Sequence, residues 1–414
     1  MPADTGRTVA GSRAYDIALD ALDPSDPELF RSDTLWPYFE RLRREDPVHF
    51  CAQSAYGPYW SVTRYRDIVD IETRHQTYSS QARLGGVTIQ DQSKSFPLEG
   101  FISMDPPRHD SQRKAVSPIA GPENLARLES TIRSRAAKLL DELPRGGTFD
   151  WADRVATELS TQMLATLFDF PFAERRKLAR WSDVATATPG ANDSARQLKS
   201  ELRECAEYFT GLWNERVNAE PRPDLISMMA HSDAARNMKP MEFLGNILLL
   251  IIGGNDTTRS SISGGVLALN QNPDQYERLR RDPALIGSLV PEIFRWQTPL
   301  AHMRRTALCD TVLGGKTIRK GDKVVMWYVS GNRDEDAVER ADKFIIDRAR
   351  PRQHLSFGFG IHRCVGRRLA EMQLRILWEE ILGRFRFLEV AGEPERVLSN
   401  FVKGYVRLPV RIAE

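Results

Sequence analysis

A short run near the end of the chain combines an isolated cysteine with glycine, histidine and arginine. The run is Phe357-Gly-Phe-Gly-Ile-His-Arg-Cys364-Val-Gly366. Its glycines permit a tight loop in which the backbone approaches a bulky partner closely. Cys364 falls where an amphipathic helix is predicted to begin, and the unpaired N–H groups and positive end of a helix favour a thiolate. The pattern predicts an anionic sulfur at Cys364, with a small buried apolar residue as the alternative.

A second set of reactive groups lies in the middle of the chain. Residues 241–270 form one predicted helix whose first half is apolar on every face, as in a helix that runs through a core. The run Gly253-Gly254-Asn255-Asp256-Thr257-Thr258 interrupts this pattern, and such glycine pairs beside hydroxyl residues kink helices. We expect a gap at the kink, with an acid and an alcohol beside it. The alternative is a packing notch in which Asp256 forms a structural ion pair.

Other elements must bring these two regions together. Further helices are predicted at 123–143, 153–169, 198–217, 284–297 and 366–384. Strand-like patterns are found at 48–65, which reads as a hairpin, and at 304–329. No repeat or linker divides the chain. The sequence therefore predicts one mainly α domain at 23–414 with a small β region, preceded by a flexible segment at 1–22.

Composition limits the class of protein. The formal net charge is +2, with 28% charged residues of both signs, which argues against general binding to nucleic acid. The four cysteines are far apart and form no CxxC pair, as in cytosolic proteins with reduced thiols. The N-terminus lacks a signal-peptide pattern, and the most apolar run, 247–252, is too short to span a bilayer. We expect a cytoplasmic protein without a membrane anchor.

The cysteine run resembles a known cofactor-binding motif. At each fixed position it matches the haem-binding signature of the cytochrome P450 superfamily, F-G-x-G-x-H-x-C-x-G. The resemblance implies the P450 fold, a triangular α-rich body with a β-rich lobe. It also implies haem b, with Cys364 as the axial iron ligand and His362 beside a propionate. Phe357, Gly358 and Gly366 would form the loop that contacts the haem.

The same resemblance gives roles to residues elsewhere in the chain. It implies that Thr257 hydrogen-bonds bound dioxygen and that Asp256 relays protons to it. Gly253 and Gly254 would provide the space for the oxygen. Haem propionates need cationic or hydrogen-bonding partners, and the family places four of them at His109, Arg113, Arg305 and His354. A buried network that holds the fold behind the haem is expected from Glu292, Arg295 and Arg348.

Electrons are expected to come from separate proteins. The haem domain takes up the length of the chain, and no GxGxxG in a βαβ context and no iron–sulfur cysteine cluster is present. We expect electrons from NAD(P)H to arrive through a ferredoxin reductase and a small acidic ferredoxin. The expected docking surface is a basic rim made of Arg108, Arg113, Arg363, Arg367 and Arg368. The enzyme is expected to be a monomer.

Three longer runs resemble the bacterial alkane and fatty-acid ω-hydroxylase branch. They begin at Phe101 (FISMDPPRHD), Pro291 (PEIFRWQTPLAHMRRT) and His354 (HLSFGFG). The resemblance implies oxidation of the terminal methyl of medium-chain alkanes, fatty acids or related linear molecules. Because a terminal C–H bond is stronger than those of its methylene neighbours, terminal oxidation requires a narrow channel that holds the chain end-on. Candidate walls are the aperiodic loop 81–101, Leu250, Gly254, Leu300, Met303, Phe401 and Val402.

Other functions stay open as alternatives. A haem-thiolate sensor would bind ligands without turnover, and a peroxygenase would use peroxide directly, but the Asp256–Thr257 pair argues against both. A monooxygenase of terpenoid or other cyclic substrates is compatible with the same residues. A zinc site at His354, His362 and Cys364 is disfavoured, because it lacks the short paired ligand intervals of structural zinc sites.

Overall fold

Helices dominate the structure. A computed structural model describes residues 13–92, 98–187 and 194–413, with the side chains of residues 194 and 195 excepted. The helices in chain order are α1 (Pro27–Arg31), α2 (Trp36–Glu45), α3 (Tyr65–Thr73), α4 (Arg108–Val116), α5 (Pro122–Asp141), α6 (Glu158–Phe168), α7 (Arg176–Thr186), α8 (Ser194–Arg216), α9 (Leu225–Ala230), α10 (Pro240–Gln271), α11 (Pro273–Arg281), α12 (Ile286–Gln297), α13 (Tyr328–Gly331) and α14 (Arg367–Arg384).

The long helices predicted from the sequence are confirmed within a few residues. The pattern at 153–169 is a π-helical stretch, Ala152–Thr157, that continues directly into α6. The pattern at 284–297 is a short 3-10 turn followed by α12. The boundaries differ because capping and local packing decide where a helix ends, whereas periodicity marks only its body.

The central helix α10 is 32 residues long and packs against α6, α7 and α12. α-Helical structure continues through Gly253 and Gly254, in line with the single helix predicted over 241–270, and the kink expected at these glycines stays a prediction. The Thr257 hydroxyl donates to the carbonyl of Gly253 at 2.7 Å, an i to i−4 bond that a continuous helix accommodates.

Strands form a smaller part of the molecule. They are β1 (Val48–Cys51), β2 (Tyr59–Val62), β3 (Tyr78–Ser79), β4 (Phe149–Asp150), β5 (Met303–Ala307), β6 (Thr311–Leu313), β7 (Lys316–Ile318), β8 (Lys323–Met326), β9 (Phe387–Val390), β10 (Glu395–Arg396), β11 (Tyr405–Arg407) and β12 (Pro409–Ala413). The main sheet has the order β1-β2-β8-β5-β3. The predicted hairpin is its antiparallel β1–β2 pair, in which Val48 faces Val62.

The buried apolar core is likewise divided between the helices and the main sheet. The largest cluster of buried apolar side chains comes mainly from the helices, including α5, α6, α10, α12 and α14. A second cluster covers the five-stranded sheet and reaches α3 and α13. The fold is thus a helical body with a small β region, as expected. Among the described residues, no helix combines the length and apolarity that crossing a bilayer requires.

Residues 13–22 pack against α2. Ala14 and Leu22 are buried, and the Arg41 guanidinium donates to the carbonyls of Ala14 and Ile17 at 2.8 and 2.6 Å. The expected flexible segment 1–22 is therefore wrong from residue 13 onward, because these carbonyls satisfy a guanidinium that is largely buried. Residues 1–12, and residues 93–97 of the expected loop 81–101, lie outside the described residues.

Glu292 on α12 is the centre of a buried ionic network. Its carboxylate accepts hydrogen bonds from Arg295 at 2.7 and 2.8 Å, from Arg348 Nε at 2.8 Å and from the Ile345 N–H at 2.8 Å. Arg295 also donates to the carbonyl of Asn332 at 2.8 Å. The network therefore ties α12 to the irregular segment that leads to the Cys364 loop.

We expect Glu292→Ala to destabilise the protein strongly, because it leaves two guanidinium groups without their buried counter-charge. Breaking a buried pair in this way costs about 3–5 kcal/mol in the free energy of unfolding, measurable by denaturant titration. The control is Glu277→Ala, which removes an exposed partner 3.1 Å from Arg281 and should change stability by less than about 1 kcal/mol. Equal losses in the two variants would contradict a special role for Glu292.

Candidate active site

A cavity of about 990 Å³ lies between the central helix α10 and the loop that carries Cys364. Its other walls come from α6, the end of α7 and the segments 85–92, 299–305 and 399–401. Most lining side chains are apolar, and the volume is at the upper end for small-molecule sites. The cavity brings the two chemically distinctive regions of the sequence together.

The Cys364 loop has a tightly constrained backbone. The Cys364 N–H donates to the carbonyl of Phe357 at 2.8 Å, which closes the loop. Gly358 and Gly360 have φ angles of +65° and +61°, in the left-handed region that favours glycine. A Cβ on Gly360 would also lie 2.1 Å from the carbonyl oxygen of Glu72. This geometry presents the Cys364 side chain to the cavity just before α14 begins.

The environment of the sulfur does not favour a free thiolate. Burial raises the pKa of the Cys364 thiol, while the N–H groups of Gly366 and Arg367 and the guanidinium of Arg113 oppose that rise. The N–H groups and Arg113 offset the effect of burial only in part, and the expected anionic sulfur stays a prediction. A coordinated metal deprotonates such a thiol. No group of three or more His, Cys, Asp or Glu in the described chain forms a metal site by itself.

Two histidines with incompletely paired rings lie beside the loop: His109 is buried and does not line the cavity, whereas His362 is half-buried and does line it. His109 and His362 pack edge to face, with ring centroids 4.4 Å apart. His109 Nδ1 lies 2.8 Å from Asp110 Oδ1, and His362 Nε2 lies 2.7 Å from Ser80 Oγ. In the part of the chain that the structure describes, His109 Nε2 and His362 Nδ1 are buried without a partner. Such orphaned nitrogens indicate a polar group that binds there.

Two expected cations, Arg113 and Arg305, line the same cavity. Arg305 donates to Glu72 at 2.7 Å and to the carbonyl of Arg304 at 2.8 Å. Arg113 donates to the carbonyl of Arg363. Both guanidinium groups are held near the cysteine loop, where they leave donors for an anionic ligand.

His354 does not line the cavity. Its Nδ1 accepts a hydrogen bond from the Ser356 N–H at 3.3 Å, and its ring centroid lies 5.4 Å from that of Phe357. Burial lowers the pKa of His354 to about 3, so the ring is neutral. The expected propionate contact is wrong for this residue, because the turn after His354 leaves its ring behind the loop.

The expected haem fits these residues. Cys364 would offer a sulfur to the iron, Arg113 and Arg305 would offer charge to the propionates, and the unpaired nitrogen of His362 would offer a further polar contact. Space is also present on the side of α10: a Cβ on Gly253 would have no neighbour within 4 Å. A Cβ on Gly254 would instead lie 2.7 Å from Leu164, so this glycine allows close packing of α6.

The acid and the alcohol of α10 face different neighbours. Thr257 lines the cavity, whereas Asp256 is fully buried and is not among the lining residues. The Asp256 carboxylate lies 3.0 Å from Asn255 Nδ2, 3.0 Å from Arg259 Nη2 and 3.3 Å from Thr186 Oγ1. Adjacent helical residues point about 100° apart, which explains the separation.

Neighbouring side chains nevertheless connect Asp256 to the cavity on one side and to the solvent on the other. Thr186, which donates to it, also lines the cavity. Arg259 pairs in addition with Asp183, whose side chain is 54% exposed. Burial raises the pKa of Asp256 and Asp183 adds to the rise, while Arg259 opposes it. The Asp256 carboxyl group therefore lies between the solvent and the cavity. It binds a proton more readily than an ordinary aspartate does.

Most of the expected substrate-side residues line the cavity: Leu250, Leu300, Met303 and Phe401. Val402 does not, and its assignment is wrong. Its backbone forms an isolated antiparallel bridge with Leu300, and its side chain is buried elsewhere.

Three residues near the cavity were given no role from the sequence. His302 is fully buried, and its pKa falls to about 4 because of that burial. It links the carbonyl of Asn400 at 2.9 Å to the N–H of Ile89 at 3.0 Å. Glu72 and Thr186 likewise belong to no motif, and only the packing of distant segments brings them to the site.

Comparisons with known proteins agree with this site. The family model of cytochrome P450 matches residues 192–412. The structure of CYP153D17 from Sphingomonas sp. PAMC 26605 is 48% identical, with a TM-score of 0.91, and the match covers 96% of this chain and all of that one. Linalool 8-monooxygenase of Pseudomonas putida is 36% identical over 94% of this chain and 98% of its own length. A methyl-branched lipid omega-hydroxylase of Mycobacterium bovis is 32% identical over 90% of each chain. The protein belongs to the cytochrome P450 family.

Proposed function

We propose that this monooxygenase inserts one oxygen atom of O2 into the terminal methyl C–H bond of medium-chain alkanes, fatty acids or related linear molecules. The observation that carries the proposal is the largely apolar cavity in which Leu250, Leu300, Met303 and Phe401 share walls with Thr257. The resemblance to the bacterial ω-hydroxylase branch and the name of the Mycobacterium bovis relative support terminal oxidation. The enzyme would work in the cytoplasm as a monomer.

Haem would be held by residues already in place. Cys364 would ligate the iron, and Arg113, Arg305, His109 and His362 would contact the propionates. Once bound, haem supplies the redox centre that activates O2, with one oxygen atom going to substrate and the other to water. The second oxygen needs two electrons and two protons, so the protein must deliver both.

The apolar walls would set regioselectivity. Reactivity alone favours methylene positions over a terminal methyl, so the walls must exclude the methylenes from the reacting position. Leu300 and Phe401 are each fixed by backbone pairing, through the Leu300–Val402 bridge and the hydrogen bond from Ala301 N–H to the Phe401 carbonyl at 2.8 Å. A side chain on paired backbone keeps its place when a flexible substrate binds.

Proton delivery would use the hydroxyl groups beside α10. Thr257 faces the cavity and would hold a proton there, while Asp256 would supply protons from the solvent side through Arg259 and Asp183. Because Asp256 does not itself reach the cavity, we assign Thr186 as the hydroxyl between its carboxylate and the cavity. The raised pKa of Asp256 supports this role, since a carboxyl group that binds protons more readily is a better relay near neutral pH.

Electrons would arrive from a ferredoxin and its NAD(P)H-dependent reductase. Of the expected basic rim, Arg363 and Arg368 are exposed and take part in no ion pair within the described ranges. Arg108 is exposed but lies 3.3 Å from both Glu99 and Glu242. Arg113 contributes to the cavity, so the docking surface would rest on the other arginines.

Terpenoid oxidation is a second candidate. The Pseudomonas putida relative is named for linalool, and apolar walls of this kind suit a terpenoid as well as a linear chain. Product analysis distinguishes the two. Linear substrates of graded length should give mainly terminal alcohols, whereas turnover of linalool alone would favour the second candidate.

Axial ligation by Cys364 predicts a spectroscopic result. Reduced wild-type protein with carbon monoxide should show the strongly red-shifted Soret band of thiolate-ligated haem. Cys364→Ala should lose this band, because Cys364 is the only cysteine among the described residues that line the cavity. Thr257→Ala should keep the band but release more peroxide and less product per NADH. A red-shifted band that persists in Cys364→Ala would exclude this ligand.

Two variants of Thr186 test the proposed proton route. Thr186→Val removes the hydroxyl at nearly constant volume, so product formation should fall, toward the loss of about 10²-fold typical of a missing proton-transfer group. Its solvent isotope effect should rise, and Thr186→Ser should behave like wild type. If valine leaves the isotope effect and the coupling of NADH to product unchanged, Asp256 reaches the cavity by another route.

Regioselectivity predicts a contrast between two neighbouring side chains. Leu300→Ala widens the cavity wall, so the share of subterminal alcohols from a linear substrate should rise. Val402→Ala removes methyl groups from a side chain that faces away from the cavity, so it should lower stability but keep the product ratio. Gas chromatography with mass spectrometry measures both ratios, and an identical change in the two variants would contradict a wall at Leu300.

A further inference from the structure

Glu72 is a buried acid beside the cavity that no motif of the sequence explains. It lies near the end of α3, and its side chain is only 1% exposed. One carboxylate oxygen accepts from Arg305 at 2.7 Å, and the other accepts from the Phe359 N–H at 2.6 Å. A carboxylate so far from water requires a function or a strong set of partners.

The partners of Glu72 belong to two separate parts of the haem site. Arg305 is on β5 and lines the cavity, where it would meet a propionate. Phe359 is on the loop that ends at Cys364. Next to it, a Cβ on Gly358 would lie only 2.9 Å from the Glu72 carboxylate. The acid therefore joins the propionate side of the site to the loop that positions the sulfur.

Glu72 also changes the charge around the propionates. Two propionates would meet the two guanidinium groups of Arg113 and Arg305, both of which line the cavity. The carboxylate of Glu72 adds a further negative charge, which takes up part of the positive charge of Arg305.

We propose that Glu72 positions the haem by fixing Arg305 and the Cys364 loop together, and that its buried charge lowers the reduction potential of the haem. Reduction adds negative charge to the haem, and a nearby carboxylate in a poorly solvated region opposes that addition. The inference rests on haem binding at the proposed site and does not depend on the substrate.

The test compares two variants of α3 in the haem-loaded enzyme. Glu72→Gln keeps the size of the side chain and an oxygen for the Phe359 N–H, but it removes the charge. Asp70→Asn is the control, because Asp70 is 45% exposed and pairs with Arg74 at 2.8 Å on the same helix. Spectroelectrochemical titration gives the midpoint potential, and the Soret band of the reduced protein with carbon monoxide checks that sulfur remains the ligand.

Glu72→Gln should shift the midpoint potential to a more positive value, and Asp70→Asn should leave it unchanged because solvent and salt screen an exposed charge. A wild-type potential in Glu72→Gln, with the thiolate band retained, overturns the inference. A wild-type protein without the thiolate band would instead overturn the haem site itself.

If Glu72→Gln does not retain haem, a second variant still tests the proposal. Glu72→Asp keeps the charge but withdraws it from Arg305 and Phe359, so transfer of haem to apomyoglobin should be several-fold faster than from wild type. Transfer at the wild-type rate would show that Glu72 does not position the haem.

Discussion

The sulfur atom that we propose as the haem ligand lies where burial favours its neutral form. Burial raises the pKa of Cys364, and the N–H groups at the start of α14 offset the rise only in part. The orphaned nitrogens of His109 and His362 create the same problem, since a buried unpaired donor or acceptor costs about 1–3 kcal/mol. Binding of a cofactor that carries both a metal and carboxylates removes these costs together. Cofactor binding and stability of this region are therefore linked.

The loop around Cys364 can be rigid before the cofactor binds because its partners are backbone groups and buried ions. The carbonyl of Glu72 occupies the space where Gly360 would carry a side chain, and the Glu72 carboxylate holds the Phe359 N–H. Behind the loop, the Glu292 network fixes α12 and the segment up to Arg348. The sulfur is thus held from both sides, and its position does not rely on the metal alone.

Features that depend on residues close together in the sequence could be predicted, whereas features that depend on contacts between distant segments could not. The Cys364 loop and α10 could be predicted, because glycines, apolar periodicity and a local signature specify them within a few residues. Glu72 and Thr186 could not, because their partners are distant in the chain and no local pattern marks them. His354 and Val402 were assigned to the site from their neighbourhood in sequence, but neither of them lines the cavity.

The wall opposite α10 shows how an apolar cavity can be bounded by a loop without losing its shape. The segment 84–91 has no regular structure beyond a 3-10 turn, Ala82–Leu84, yet Arg304 donates to the Leu84 carbonyl at 3.0 Å and Lys323 to the Ile89 carbonyl at 3.1 Å. His302 accepts from the Ile89 N–H, and because its ring is neutral over the ordinary pH range, that acceptor is always available. These polar contacts come from the main sheet and the residues just before it. A loop fixed in this way keeps the apolar wall in place. Discrimination between neighbouring C–H bonds requires such a rigid wall, because a wall that moves would let the more reactive methylenes reach the reacting position.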